Sequence, residues 1–191
     1  MQANVMCDGM ISSLFSTKER EKVLAYVLDN PSKAHRVRDV AKKLSVSVGS
    51  ISGYFAFLKE QKILKRKGND FYVNLDSPLT KTVKQMLNVV NLDVSPLKKI
   101  PACTGIGVYG SWAKGTNNEN SDIDMWVRVE RKPGEEVIAK VSRQMREKME
   151  RDVQILVIDP AKNKTLRETD PIFYYSMVYG SVVLYGKSLQ D

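Results

Sequence analysis

Apolar positions along the first third of the chain recur at helical spacing. Ser16 followed by Glu19 fits a capping box, and Val23, Leu24, Val27 and Leu28 then form one face until "DNPS" stops the helix. A second helix is expected over "RVRDVAKKL", with Val37, Val40, Ala41 and Leu44 together. After "SVS", with Ser47 as N-cap, "VGSISGYFAFLKEQ" reads as a third helix turning Val48, Ile51, Phe55 and Leu58 inward. The period then changes. "ILKRK" and "FYVNL" flank the turn-rich "GND", which predicts a two-stranded hairpin. "SPLTKTVKQMLNVVNL" carries Val83, Met86, Leu87 and Val90 at helical spacing before "DVSP" breaks it. We place a domain boundary at Ser77 to Leu79, giving domains 1–78 and 79–191, the second opening on a linking helix.

The second half alternates strands with helices. "CTGIGVY" is a short apolar strand rich in β-branched residues. "DIDMWVRV" is another, "GEEVIAKVSRQMREKMER" an amphipathic helix, and "DVQILVID" a third strand. Asp159 before Pro160 reads as a helix cap. A short helix from Pro171 to Tyr179 ends at Gly180, and "SVVLYG" follows as an edge strand. The aromatic group Phe173, Tyr174, Tyr175 and Tyr179 is expected to pack in the core rather than to stack on bases.

Composition narrows the function classes. Hydrophobic residues make up 42% of the 191 and charged residues 27%, so a core and a soluble surface are both available. No apolar run reaches membrane-spanning length, and the opening "MQANVMCDGMISSLF" lacks a secretory pattern. Cys7 and Cys103 are far apart and His35 is the only histidine, so reduced thiols, no structural zinc and a cytoplasmic location are expected. The net charge is +8: residues 1–78 hold 13 Lys/Arg against 8 Asp/Glu, and residues 79–191 hold 17 against 14. A basic excess suits a polyanionic partner, and it suits solubility equally well.

The candidate chemistry lies in "VYGSWAKGTNNENSDIDMWV", residues 108–127. Gly110 and Ser111 follow a strand and begin about one helical turn, "SWAKG", closed by Gly115. A glycine lets a phosphate approach the backbone, and the start of a helical turn offers unpaired N–H groups and a hydroxyl. Asp122 and Asp124 share one face of the next strand, because strand side chains alternate, while Ile123 and Met125 point to the core. Two like charges on one face repel unless a cation lies between them. Their hard oxygens suit magnesium, which takes its other ligands from phosphate and water.

Gly110-Ser111, a spacer, then Asp122-Ile123-Asp124 resembles the DNA polymerase beta-like nucleotidyltransferase superfamily, in particular its minimal nucleotidyltransferase branch, over about Ile100 to Gly186. The resemblance implies an α+β chain with a small mixed-sheet nucleotidyltransferase domain. It implies two Mg²⁺ (or Mn²⁺) ions held by Asp122, Asp124 and a third carboxylate, and a nucleoside triphosphate, with AMP from ATP moved onto a hydroxyl acceptor. Gly110, Ser111 and Lys114 would hold phosphates, although Lys114 also reads as a solvated turn lysine. Ser121 orients the loop or Asp122, or is a turn residue. A third carboxylate is implied on a later strand. Asp152 is the choice, as metal ligand and proton acceptor, against a surface aspartate balancing Arg151; Gln154 neighbours the site, where some relatives keep an acid. Some relatives are antitoxins that modify a paired toxin, so an acceptor protein of that kind is a candidate partner.

Three helices and a basic hairpin, Thr17 to Leu75, resemble a winged helix-turn-helix domain. The resemblance implies duplex DNA as a partner. The third helix would offer Ser47, Gly49, Ser50, Ser52, Gly53 and Tyr54 to the groove, and the wing would offer Lys65, Arg66 and Lys67 to phosphates. The face lacks arginine or asparagine for bidentate base reading, so a protein-docking role stands beside it. Two function classes therefore remain: a magnesium-dependent nucleotidyltransferase, or a DNA-binding regulator or antitoxin whose second domain senses nucleotide or docks a partner.

Overall fold

The structure is a computed structural model that describes residues 6–191. The expected absence of a secretory start and the Cys7 thiol concern parts outside the described backbone and side chains. The chain divides into two compact units between Thr80 and Lys81.

The first unit holds α1 (Met6–Leu14), α2 (Lys18–Asp29), α3 (Val37–Leu44), α4 (Val48–Glu60) and the hairpin β1 (Leu64–Lys67) and β2 (Asp70–Val73). The sequence reading had assigned no element to α1. Helix α2 buries the expected Val23, Leu24, Val27 and Leu28. Its cap is Thr17, whose hydroxyl accepts from Arg20 N, so the Ser16–Glu19 box is off by one residue. Ser45 takes a left-handed conformation after α3, and Ser47 caps α4 as expected, accepting from Ser50 N at 3.1 Å. His35 exchanges both backbone hydrogen bonds with Phe71, an isolated antiparallel bridge on the free side of β2.

Helix α4 corrects two expectations. Ile51, Phe55 and Leu58 are buried, but Val48 is exposed. Tyr54, expected on the groove-facing side, is instead 2% exposed, and its hydroxyl donates to Leu14 O at 2.9 Å. Arg20 lies over its ring. A tyrosine can bury its body where its hydroxyl finds a carbonyl, and α1 supplies that carbonyl. Gly53, next to it on the exposed side, has nothing within 4 Å of a would-be Cβ. Gly53→Ala should therefore raise stability by about 0.5–1 kcal/mol, as mid-helix glycine replacements do, measured by urea unfolding.

The second unit contains most of α5 (Pro78–Asn91), a 3₁₀ turn at Leu97–Lys99, β3 (Cys103–Tyr109), α6 (Gly110–Lys114), β4 (Ile123–Val129), α7 (Glu135–Met149), β5 (Val153–Ile158), α8 (Pro160–Thr169), α9 (Pro171–Gly180) and β6 (Val182–Gly186). The sheet order is β5-β4-β3-β6, with β4 and β5 parallel and the other pairs antiparallel. Period-2 alternation divides β4 cleanly. Ile123, Met125, Val127 and Val129 join Ile106, Val108, Leu97, Trp112, Val141 and Met145 in one core cluster. Trp126, two residues beyond Asp124 on the opposite face, packs with Ile158, Met177 and Leu189. The acid pair is thus on the Trp126 side of the sheet, at its end.

Asp159 caps α8 as expected, accepting from Lys162 N at 2.7 Å, and β6 is the expected edge strand. The aromatic group splits. Tyr174 is buried and Phe173 packs on Tyr109, but Tyr175 and Tyr179 stack on each other on the exposed side, with Tyr179 76% exposed. Helix α5 also departs from its apolar pattern: Met86 and Val90 face outward, while Lys84 and Asn88 are buried beside Val83. Cys103 is a free, half-buried thiol. Among the described residues, no helix is long and apolar enough to cross a membrane.

Candidate active site

The turn after β3 is forced by its first residue. Gly110 has φ +67°, a conformation that disfavours a side chain. A Cβ built there would lie 2.6 Å from Asp124 Oδ2. The backbone of the Gly-Ser turn is therefore pressed against the acid pair, with space that only a glycine leaves. Helix α6 is the expected single turn, closed by Gly115 at φ +65°. Gly115 itself is fixed by α5: a Cβ there would meet Lys81 O at 2.1 Å.

The loop between the turn and the acids is held by buried polar bonds. Asn88 Nδ2 donates to Trp112 O and to Asn117 Oδ1, both at 2.9 Å. Arg151 lies over the Trp112 ring and donates to Asn118 O and Glu119 O. Ser121 Oγ accepts from Asn118 N at 2.9 Å and so closes the loop in front of Asp122. Sequence reading missed Asn88, Asn117 and Arg151. The only available signal was a polar residue at a helix spacing that continues the buried face. Asn88→Leu should cost about 1–3 kcal/mol, because Trp112 O and Asn117 Oδ1 lose their donor in a dry site. Thermal unfolding of the variant measures it.

Asp122 and Asp124 stand together as expected, both partly exposed. Asp124 has its pKa raised, first by desolvation and then by the Asp122 charge. Tyr109 is its cross-strand partner, and burial, then Asp124, pushes that phenol up. Gln154 pairs in register with Asp124 across β4 and β5, and its amide donates to Asp122 Oδ2 at 2.8 Å. Lys114 is exposed on α6, and its Cε lies 3.8 Å from a would-be Gly180 Cβ.

Asp152 is not brought to the pair. It lines the same open groove of about 460 Å³ as Asp122, but its carboxylate is bound to Arg146 Nε at 3.0 Å and is largely exposed. Among the described residues, no three acidic, histidine or cysteine side chains are clustered to hold a metal. Asp152 lies just before the strand, where its carbonyl accepts from Ile123 N at 2.9 Å, and its carboxylate meets Arg146 of α7, while Gln154 pairs in register with Asp124. The donor set that remains, two carboxylates and a glycine-lined approach, suits one hard divalent cation completed by phosphate oxygens.

The DNA-directed candidates lie in the first unit. Ser50 and Ser52 are exposed on α4, and Ser47 Oγ donates to Ser50 Oγ at 2.8 Å. Lys65, Arg66 and Lys67 are exposed on β1. Lys65 pairs with Asp76, and Arg66 donates to Gly68 O and lies over Phe71.

A small mixed sheet, a glycine turn and an acid pair at the sheet's end define a nucleotidyltransferase fold. The sequence model of the family described as "Polymerase beta, Nucleotidyltransferase" matches residues 94–188, so this stretch of the second unit is a nucleotidyltransferase-family domain. No curated protein matches the chain. Among solved structures, a chain of a toxin–antitoxin with AMP-PNP is similar at 20% identity, covering 56% of this chain and 75% of its own, with a TM-score of 0.39. A chain of the tri-AMPylated Shewanella oneidensis HEPN toxin in complex with MNT antitoxin matches at 19% identity, over 54% and 73%, with a TM-score of 0.38. The toxin–antitoxin MntA–HepT gives 19%, 53% and 73%, and 0.37. TM-scores below 0.5 are too low to inform on function.

Proposed function

We propose that the second unit binds a nucleoside triphosphate with Mg²⁺ or Mn²⁺ and transfers its nucleoside monophosphate, AMP from ATP, to a hydroxyl. The observation that carries this is the contact geometry of Gly110: the phosphate-approach turn and Asp124 share one space, with room for no side chain between them. Asp122 and Asp124 would hold the cation. When bound, it neutralises phosphate charge that the acid pair would otherwise repel.

The chain's own groups divide the remaining work. The Gly110-Ser111 backbone and the Ser111 hydroxyl orient the terminal phosphates. Lys114 supplies positive charge where pyrophosphate leaves. Asn88, Asn117, Arg151 and Ser121 fix the loop that sets the spacing between turn and acids. Asp152, paired with Arg146 at 3.0 Å, would have to leave that exposed pair to accept a proton beside the acids. A hydroxyl on a partner protein, such as a paired toxin, is the first candidate acceptor, on the resemblance of the "GSWAKG" and "SDID" strings to the minimal branch. The test is incubation with α-labelled ATP and Mg²⁺, alone and with the products of neighbouring genes. Label on an acceptor is expected; no label with any nucleotide or acceptor favours nucleotide sensing instead.

We further propose that residues 1–78 are a winged helix-turn-helix domain that binds duplex DNA. Support comes from the exposed hydroxyl and glycine face of α4 and the cations of β1. Tyr54 is removed from that face, which leaves Ser47, Gly49, Ser50, Ser52 and Gly53. Replacing Lys65, Arg66 and Lys67 together by glutamine is expected to weaken DNA binding about equally across sequences and to flatten its salt dependence. A gel-shift titration at two salt concentrations measures both. No shift on duplex DNA at low salt makes this unit a protein-docking module.

A further inference from the structure

The acid pair has a neutral neighbour where a third anion would stand, and this limits what it can hold. We infer that the site takes one divalent cation per chain rather than two, and that Gln154 sets this number. The inference rests on the nucleotide–cation reading above.

Strand register places the residue. In the parallel β4–β5 pair, Ile123 faces Val153 and Asp124 faces Gln154, so the Gln154 side chain shares the sheet face of the two acids. Its Nε2 is 2.8 Å from Asp122 Oδ2. A carboxylate only accepts, so the NH₂ end of the amide must point at it. That end is the positive end of the amide dipole. It therefore occupies one Asp122 oxygen with a donor and turns positive charge toward the space a second cation would enter.

The other acids that line the groove with Asp122 (Glu119, Glu147, Glu150 and Asp152) form no metal-holding cluster with the pair among the described residues. Tyr109, which pairs with Asp124 across β3 and β4, offers a phenol there and not a carboxylate. Asp152 is bound to Arg146. Lys114 adds positive charge on the turn side. Two carboxylates match the charge of one divalent cation. A second cation at two-metal spacing would repel the first on the order of four times as strongly as two single charges, since the energy scales with the product of charges. Paired cations of this kind need additional anionic ligands from the protein, and the described residues offer no third acid in the cluster. The cation that remains is the one the triphosphate brings, because its phosphate oxygens complete the shell.

The test counts bound Mn²⁺ on the full-length protein by the electron paramagnetic resonance of free Mn²⁺, in the presence of saturating AMP-PNP and against protein-free AMP-PNP. Wild type is expected to bind one Mn²⁺ per chain, and Gln154→Glu or Gln154→Asp two. Gln154 is exposed, so both variants should fold, and circular dichroism checks this. A count of two in wild type overturns the inference and leaves the proposed nucleotide site standing. A count of one in both carboxylate variants also overturns it, because the amide would not then be what limits the number. A count of zero in wild type removes the inference together with the reading beneath it.

Discussion

Asp122→Ala is expected to lower nucleotide transfer by at least about 10²–10³-fold and to remove the gain in Mg²⁺ affinity that ATP brings, with the fold intact. Calorimetry of Mg²⁺ binding with and without an ATP analogue, and the labelling assay, measure the two effects. Asp124→Asn should be equally damaging to binding but should raise the melting temperature of the ligand-free protein. The Asp124 pKa is raised in the fold by desolvation and by Asp122, so the native state holds that proton more tightly than the unfolded chain. Such a group contributes stability that is complete below the unfolded pKa and lost as pH rises through the folded one. At neutral pH the ionised pair is then a net cost to the empty protein, and an uncharged asparagine relieves it. The advantage of Asp124→Asn should shrink as pH falls into the carboxylate range. Equal cation–nucleotide affinity in wild type and both variants would remove this site from consideration.

Gly110→Val is the second large effect, and it combines two independent causes. The φ of +67° costs a non-glycine residue about 1–2 kcal/mol, and more for a β-branched one. Its Cβ also falls 2.6 Å from Asp124 Oδ2, a distance at which the carboxylate has to move. A melting temperature lower by roughly 5 °C and loss of nucleotide binding are expected together. Gly110→Ala keeps both causes but adds no bulk toward phosphate, so it separates them from a steric block on nucleotide binding. If Gly110→Val binds ATP as wild type does, the turn is structural only.

The stretch from Gly110 to Asp124 was legible because everything in it is local. A glycine at a strand end, a one-turn helix and alternation along a strand are fixed within a few residues, so the turn and the acid face could be read directly. The same is true of the Ser47 and Asp159 caps, whose bonds span three residues. The hairpin and the alternation of strands and helices followed from where the period changes, and the α+β class from the family resemblance.

Asp152 and Gln154 show where such reading ends. Both lie at the start of one strand, and sequence spacing puts either beside the pair. Only the register with β4 gives that place to Gln154, and only the neighbouring α7 supplies the arginine that holds Asp152 away. Tyr54 was read outward from its α4 spacing, but α1, 40 residues earlier, offers a carbonyl that satisfies its hydroxyl and lets the ring be buried.

Helix α5 failed for the same reason. Its apolar stripe marks a face, yet the face that packs is the one whose asparagine meets Trp112 O and Asn117 Oδ1, 24 and 29 residues away. Periodicity thus determined which residues of an element lie together, because backbone geometry alone sets that. Which face is buried, and which acid stands at the site, was decided by partners distant in sequence, because a polar group can be buried only where tertiary packing brings its hydrogen-bond partner.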